Sequence, residues 1–251
     1  MAGSVAEVLA LMQPVSLMEM DAVELINRID TKFVFREELL PAVLGGLSHR
    51  YRVLELEGRK IHHYDSLYFD DDRMSLYLDH HNGRANRYKL RIRNYGTTGV
   101  SYMEVKRKTN TGRTVKSRRK TDVFRKDLDD VQRDFFRSQT GASAGAWKFS
   151  VKISFDRITL VSMDPPERVT IDLDLTFDNG NESRSLAGLV VAEVKQGGKQ
   201  PSSFLLAMRE RQIKPLPISK YCMAVSMLNR QVRRNLFKPT HRQLHRIQET
   251  T

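Results

Sequence analysis

Cysteine is nearly absent from this sequence, and long apolar runs are missing altogether. The 251 residues include one cysteine, Cys222, so no disulfide can form within the chain. A single free thiol is typical of proteins from a reducing compartment. The N-terminal segment lacks the basic start of a secretory signal and carries Glu7 inside its apolar part. No apolar stretch approaches the roughly 20 residues that span a bilayer. We therefore expect a soluble, cytoplasmic protein with no transmembrane segment.

Several motifs of catalysis and metal binding are also missing. The chain has no glycine-rich Walker loop and no Cys-x-x-Cys. The adjacent histidines at 62–63 and 80–81 would point to opposite faces of a strand, so we interpret them as ordinary surface or core residues. The aspartate run at 70–72 is either a capping cluster or a metal site.

Positive charge is the feature that the sequence has in excess. It holds 42 Lys and Arg against 30 Asp and Glu, for a formal net charge of +12. Such a balance indicates a polyanionic partner. The last segment, 229–251, carries six Lys or Arg against Glu249 alone. This basic tail is either a solvated, frayed helix end or an arm that docks an anionic partner.

The hydrophobic periodicity predicts an α+β protein with one main domain. A helical pattern over 1–24 precedes about eight segments of period two, with shorter helical patterns between them. We find no internal repeat, low-complexity tract or long linker. The expected organisation is one domain over 1–228 followed by the basic tail over 229–251.

Most of the predicted strands have one charged and one apolar face. In "RYKLRIRNYG", residues 87–96, the basic residues alternate with Tyr88, Leu90 and Ile92. In "RVTIDLDLTFD" the even-numbered residues from Arg168 to Asp174 share one face, and the odd-numbered residues up to Phe177 share the other. The solvent face of an ordinary antiparallel sheet also alternates in this way.

A solvent face, however, normally mixes both signs of charge with neutral polar residues, and these faces are nearly all Lys and Arg. A sheet closed into a barrel with its charged faces inside would form a hydrated basic tunnel. We therefore predict a closed antiparallel β-barrel of about eight strands, with helices packed outside. A chain of phosphates would stabilise such an interior. Carboxylates among the cations could hold Mg²⁺ or Mn²⁺.

Nine sequence segments, in order, carry a resemblance to a known family. They are Arg28-x-Asp30-x-Lys32-Phe33, "SLYFDD", "KLRIRNYG", "MEVKRK", "VKSRRK", "FDRITL", "RVTIDLDL", "VVAEVKQ" and "ISKY". Over roughly 20–228 the chain resembles the catalytic domain of the vacuolar transporter chaperone (VTC) polyphosphate polymerases, within the triphosphate tunnel metalloenzyme superfamily. The resemblance implies a barrel whose tunnel binds phosphate chains, and transfer of the ATP γ-phosphate to polyphosphate with a divalent metal, Mn²⁺ or Mg²⁺.

The resemblance also implies roles for particular residues. The catalytic set that would line the phosphate path is Lys32, Arg91, Arg93, Lys106, Arg157 and Lys220. Further phosphate contacts would be Arg28, Lys89, Lys116, Arg118, Arg168 and Lys195. Glu193 would be the main metal ligand, with Glu104 near it.

Two positions depart from the family pattern. Asp30 stands where Glu is usual, so its carboxylate reaches one methylene less far. Pro217 stands where a second Lys is expected, three residues before Lys220, which removes one cation from a tunnel mouth.

Three functions are consistent with these observations. The first is a polyphosphate polymerase that uses ATP and inorganic polyphosphate. The second is a tunnel triphosphatase, although Arg28 replaces the first Glu of the hydrolytic pattern and favours transfer over hydrolysis. The third is a polyphosphate sensor or nucleic-acid-binding module without turnover. The basic strands have few aromatic residues at stacking positions, which argues against nucleic acid.

Overall fold

The structure is a computed structural model that describes residues 3–23, 29–141 and 147–249. One large, mainly antiparallel sheet organises these residues, and α-helices cover it. The strands are β1 (Pro14–Val15), β2 (Ile29–Arg36), β3 (Arg52–Leu54), β4 (His62–Asp70), β5 (Arg87–Tyr95), β6 (Val100–Lys108), β7 (Thr114–Thr121), β8 (Lys148–Met163), β9 (Pro166–Asp178), β10 (Ser183–Ser185) and β11 (Leu189–Gln196). The helices are α1 (Val5–Leu11), α2 (Leu17–Asp21), α3 (Leu40–Gly45), α4 (Ser75–His81), α5 (Asp130–Thr140), α6 (Ser203–Glu210), α7 (Lys220–Leu228) and α8 (Lys238–Glu249). None of the described helices is long and apolar enough to cross a membrane.

The eight principal strands follow the order β2-β11-β9-β8-β4-β5-β6-β7, with three short strands attached at the sides. In the described ranges β2 and β7 do not pair, so the predicted closure of the barrel is not confirmed. Part of the reason that β2 and β7 stay unpaired is that another segment covers the outer edge of β2. The segment leading to α7 occupies that edge, where Leu216 N donates to Lys32 O at 2.8 Å and Pro215 bridges to Phe33.

A β-bulge in β9 changes which side of the sheet its side chains face. Ser154 of β8 is opposite Thr176, whereas Asp156 is opposite Leu173, so β9 holds one extra residue. Asp174 lies at this point with a φ of 50° and is exposed. The expectation of one uninterrupted alternation along β9 is therefore wrong. Before the bulge Arg168 and Asp172 face the concave side of the sheet, and after it Leu175 and Phe177 do.

The convex side of the sheet is apolar and lies beneath helices. Helices α1, α3 and α6 cover the outer faces of β2, β11, β9 and β8, where Ile171, Ala192 and Phe204 are fully buried. Helix α5 covers β5 and β6, where Ile92 and Phe136 are fully buried. The charged residues between these apolar positions consequently face the concave side.

The concave side is itself divided into an apolar part and a charged part. Helix α7 lies within the apolar part, and its residues from Tyr221 to Val225 are buried. They pack against Ile153, Leu175, Phe177 and Val191 from three strands. Because the helix fills this part, the remaining open space of the concave side lies around the N-terminal end of α7.

The basic tail folds back onto the domain. Leu244 of α8 is 3% exposed and belongs to the same apolar cluster as α7. The hydroxyl of Tyr77 donates to the carbonyl of Arg233 at 2.7 Å, and Gln248 Nε2 donates to Ala187 O at 3.2 Å. The segment is therefore a largely solvated helix, as one of the two interpretations expects, but it packs on the domain and is not frayed up to Glu249.

The opposite orientations of neighbouring residues in β5 generate a stability prediction. We expect Ile92→Asp to lower the free energy of unfolding by about 4 kcal/mol or more, because it buries an unpaired carboxylate beneath α5. Urea denaturation followed by circular dichroism measures this change. The control is Val115→Asp on β7, where the valine is 53% exposed, and it should change stability by no more than about 0.5 kcal/mol. Equal effects of the two substitutions would show that the faces of β5 are misassigned.

Candidate functional site

The charged part of the concave side collects basic residues from six strands and one helix. We call it the basic concavity. Its members are the cations Lys32, Lys89, Arg91, Arg93, Lys106, Lys116, Arg157, Lys195 and Lys220 and the carboxylates Asp30, Glu104, Asp172 and Glu193. Strand register brings them together, since Arg91 is opposite Glu104, Lys89 opposite Lys106, and Glu193 opposite Lys32.

The concavity is enclosed because the sheet curls until distant strands face each other. Lys106 lies on β6, six strands from β2 in the sheet order. Burial lowers the pKa of its ammonium, Glu193 raises it, and Lys32 lowers it again. The charges of Glu193 on β11 and Lys32 on β2 therefore act on Lys106 across the open space of the concavity. Water reaches Lys106, yet protein charges surround it.

An aromatic floor supports three of the cations. The rings of Tyr64 and Phe155 stack with centroids 5.4 Å apart. The guanidinium carbons of Arg93 and Arg157 lie 5.4 and 5.1 Å from the Tyr64 centroid, and Lys220 Nζ lies 5.2 Å from that of Phe155. Cation–π attraction at a desolvated site offsets part of the repulsion between these like charges. The floor therefore holds three positive head groups side by side.

Asp172 is the carboxylate that joins two of these cations. Arg157 binds it with two N–H groups, Nε at 2.5 Å and Nη2 at 2.8 Å, and Lys220 Nζ donates to the same carboxylate. Burial opposes ionisation of Asp172, but Arg157 and Lys220 outweigh it and hold the pKa of the carboxyl well below its usual range. Asp172 is therefore an anion that fixes β8 and the start of α7 together.

Glu104 has the same arrangement on the other wall. Its Oε2 accepts from Arg91 Nε at 2.6 Å, and its Oε1 lies 2.5 Å from Lys116 Nζ. Burial works against its charge, but Arg91, Arg93 and Lys116 hold the pKa of the carboxyl well below its usual range. Both oxygens of Glu104 are thus occupied by cations of the protein.

Four cations of the concavity have no carboxylate partner among the described residues. Lys32 Nζ donates to Ile218 O at 2.8 Å, Lys89 Nζ to Ser219 Oγ at 2.8 Å, and Arg93 Nε to Ser66 Oγ at 3.0 Å, all neutral acceptors. The fourth, Lys106, has no ion pair in the described part of the chain. Burial lowers the pKa of Lys89 to about 8. An anion placed among these four groups would meet cations that form no ion pair within the described chain.

Tyr68 and Asp172 were not among the candidate site residues predicted from the sequence. The Tyr68 hydroxyl accepts from Arg91 Nη1 at 2.9 Å, and its ring stacks on Tyr221 with centroids 5.0 Å apart. Burial opposes ionisation of this phenol, but Arg91, Arg93 and Lys89 lower its pKa to about 8. Tyr68 lies in the strand motif "SLYFDD", whose period places it beside Ser66 on the face opposite Leu67, and this was the available signal.

Other predicted residues lie at the margin of the concavity or outside it. Arg118 on β7 is exposed and lies 5.1 Å from the Tyr102 ring. Arg168 Nη2 donates to Met20 O at 2.6 Å and so connects β9 to α2. The predicted contact Arg28 lies outside the described residues. By register Arg118 is opposite Glu104 and Arg168 is opposite Lys195, so both lie on the concave face at the margin of the concavity.

The acidic run at 70–72 is a capping cluster. Asp70 is 1% exposed, and its carboxylate accepts from the backbone N–H groups of Leu76 and Tyr77 at 2.9 Å. These are the unpaired donors at the start of α4, which explains the position of the aspartate. The metal-site alternative for this run has no support, because no three potential ligand side chains come together within the described ranges.

A divalent metal fits the concavity only together with a phosphate ligand. Mg²⁺ is commonly held by one or two carboxylates and the oxygens of a bound phosphate. Glu193 suits such a site: its Oε2 lies 3.1 Å from Lys195 Nζ, and its side chain is 23% exposed. Burial opposes ionisation of Glu193, but Lys195 and Lys32 hold the pKa of the carboxyl well below its usual range. Glu104, whose oxygens are both occupied, suits it less well.

Solved structures with a similar fold come from several organisms. A putative adenylyl cyclase of Hippeastrum with a dominant triphosphatase activity is 15% identical, with a TM-score of 0.51, covering 80% of this chain and 96% of that chain. A putative adenylate cyclase of Vibrio parahaemolyticus is 12% identical, with a TM-score of 0.46, covering 78% and 97%. One from Bacillus halodurans is 14% identical, with a TM-score of 0.46, covering 77% and 94%. At these identities the likeness concerns the fold alone.

The match to a family is stronger. No curated protein matches the chain in sequence. The family model of the VTC domain matches residues 27–229, which include every strand that contributes a residue to the basic concavity. The chain therefore belongs to the VTC domain family.

Proposed function

We propose that this protein is a metal-dependent polyphosphate polymerase that transfers the γ-phosphate of ATP to a growing polyphosphate chain. The observation that carries this proposal is the charge of the basic concavity, where nine cations outnumber four carboxylates. Four of the cations have no carboxylate partner in the described chain. A linear phosphate chain offers a row of anionic oxygens that matches an elongated basic surface. Membership of the VTC domain family supports the same substrate class.

The cations on the aromatic floor are suited to hold the transferring group. Phosphoryl transfer requires alignment of the attacking and leaving oxygens and neutralisation of the equatorial oxygens, with little covalent chemistry from the protein. Arg93 and Arg157 present guanidinium groups over the same two rings, and Lys220 is adjacent. Guanidinium forks bind phosphate oxygens in pairs. These three residues would therefore grip the γ-phosphate.

The N-terminus of α7 adds to the positive potential of the concavity. The helix begins at Lys220, and Ser219 caps it by accepting from Cys222 N. Helix N-termini carry a partial positive charge and favour anions. Lys89, which donates to the same Ser219 hydroxyl, brings a full charge to this point. The neighbouring phosphates of the nucleotide or of the chain would lie here and beside Lys32 and Lys106.

Glu193 is the residue that would hold the divalent metal. When bound, Mn²⁺ or Mg²⁺ supplies Lewis-acid neutralisation of phosphate oxygens. The carboxylate is kept ionised by Lys195 and Lys32, as a metal ligand must be. No general base is required for transfer to polyphosphate, because the accepting terminal phosphate is already an anion.

Hydrolysis is the second candidate function. It is favoured by the fold shared with the Hippeastrum protein, which has a dominant triphosphatase activity. A triphosphatase would use the same cations and the same metal but would give the phosphoryl group to water. The two functions differ in their product, which makes them separable by one assay.

The product assay decides between these functions. We expect purified protein incubated with ATP and Mn²⁺ to form a ladder of polyphosphate on a stained gel, together with ADP. Release of inorganic phosphate without a ladder would establish the triphosphatase instead. Binding of polyphosphate with neither product would leave a non-catalytic module and contradict both enzymatic assignments.

Removal of one cation from the aromatic floor should abolish most of the activity. We expect Arg93→Ala to lower ATP turnover by about 10²-fold or more, as for loss of one preorganised charge at a transferring group. Arg93→Lys should fail as well, because an ammonium lacks the guanidinium fork. The control is Arg107→Ala, an exposed arginine on the outer face of the adjacent strand, which should retain wild-type turnover. Circular dichroism checks that all three fold, and equal activity of Arg93→Ala and Arg107→Ala would exclude Arg93 from the site.

The assignment of the metal to Glu193 has a separate test. Glu193→Gln should lose metal-dependent turnover while metal-free binding of tripolyphosphate, measured by calorimetry, stays the same or tightens, since one negative charge is removed. The same two measurements on Glu104→Gln serve as the comparison, because this substitution removes one negative charge from the other wall. A loss of turnover specific to Glu193→Gln would be due to the metal ligand and not to the change in charge. A Glu193→Gln variant that turns over normally with Mn²⁺ would show that another group holds the metal.

A further inference from the structure

We propose that the folded basic tail is an external docking surface for a linear polyphosphate chain outside the basic concavity. This inference rests on the proposed function, since it requires that the ligand be a long polyanion. We define the tail surface by its exposed cations, which are Arg230, Arg233, Arg234, Lys238 and Arg242. The basic concavity accommodates only part of a long chain, and the remainder must lie against solvent or against the protein.

The tail surface is positively charged with little internal compensation. The structure gives these five cations no ion pair among the described residues. The acid of this segment, Glu249, pairs with His245 at 2.7 Å. Charges of one sign concentrated on a folded segment repel one another unless an anion lies among them.

The tail surface is held in a fixed position. Tyr77 OH binds the carbonyl of Arg233, Leu236 N donates to His81 Nε2 at 3.3 Å, and His241 Nε2 lies 2.9 Å from Ser226 Oγ. Because these contacts order the backbone in advance, a ligand would lose less free energy in ordering it. This arrangement differs from that of a flexible basic arm.

The tail surface reaches the rim of the basic concavity. Phe237, between Arg234 and Lys238 in sequence, stacks on His80 with ring centroids 6.3 Å apart. Burial, Lys89, Arg87, Lys32 and Lys108 together lower the pKa of His80 to about 3. The imidazole that contacts the tail thus lies within the field of two cations of the concavity. The tail surface and the basic concavity are thus neighbours on either side of His80.

Other polyanions fit this surface less well. An anionic membrane is bound most strongly where an exposed apolar face accompanies the cations. Here Leu244 and Ile247 of α8 pack into the protein, which leaves the tail surface with cations but without such a face. Single-stranded nucleic acid is bound most strongly where exposed aromatic rings stack on its bases. Phe237 packs against Tyr77, His80 and His81 instead. Polyphosphate requires only cations.

The test compares short and long phosphate chains on the full-length protein. Arg233→Ser, Arg234→Ser and Lys238→Ser are combined in a tail variant. The matched control combines Arg50→Ser, Lys199→Ser and Arg209→Ser, which removes three exposed cations from the side of the protein near α3 and α6. Dissociation constants for tripolyphosphate and for long-chain polyphosphate are measured by calorimetry at several salt concentrations, and melting curves verify folding.

We expect the tail variant to bind long-chain polyphosphate about tenfold more weakly at ~0.1 M salt, while its affinity for tripolyphosphate is unchanged. Its slope of log Kd against log salt should fall by about two for three lost contacts. The control should match the wild type in both. Equal effects of the tail variant and the control on long chains would overturn the docking surface.

Further arms separate this inference from the proposed function. If Arg93→Ala loses tripolyphosphate binding while the tail variant binds long chains normally, only the docking surface is wrong. If the wild type binds neither phosphate ligand, both proposals are wrong. If the tail variant loses affinity for poly-U RNA or for phosphatidylserine vesicles and keeps its affinity for polyphosphate, the tail serves another partner.

Discussion

Repulsion among the cations of the basic concavity is the constraint on which the rest of the structure depends. Nine basic side chains face one enclosed space, and burial makes each charge more costly than it would be in water. Glu104 and Asp172 each join two of the cations and lie on opposite walls. The rings of Tyr64 and Phe155 lie beneath the guanidinium groups of Arg93, which has no ion pair in the described chain, and of Arg157, which is paired with Asp172. These contacts offset part of the repulsion, while four cations form no ion pair within the described chain.

The convex side provides the rigidity that this arrangement requires. Large apolar clusters beneath α5 and beneath α1, α3 and α6 fix the strands from outside. Helix α7 fixes them from inside and brings Lys220 to the floor of the site. Packing on both sides leaves the curvature of the sheet little freedom, so the positions of the charged groups are set before any ligand arrives.

Much of the site could be predicted from the sequence because the strand period is two. The alternation in 87–96 assigned Arg91 and Arg93 to one face and Ile92 to the other, and the structure has the same arrangement. The period failed in β9, since an extra residue at Asp174 leaves no local signal in a run of alternating residues. The unclosed edge and the folding of the tail depend on tertiary contacts, those of Leu216 with Lys32 and of Leu244 with the α7 cluster, which no local pattern encodes.

The free edge of β7 has a consequence for assembly. An edge strand with unpaired backbone groups invites pairing with another chain, which leads to aggregation. In the described chain β7 pairs only with β6, and its exposed residues include Lys116, Arg118, Arg119 and Lys120. Two copies that approached through this edge would bring these cations against one another. Electrostatics thus protects the open edge from strand addition by a second copy, and the same lysine and arginine side chains make it receptive to anions.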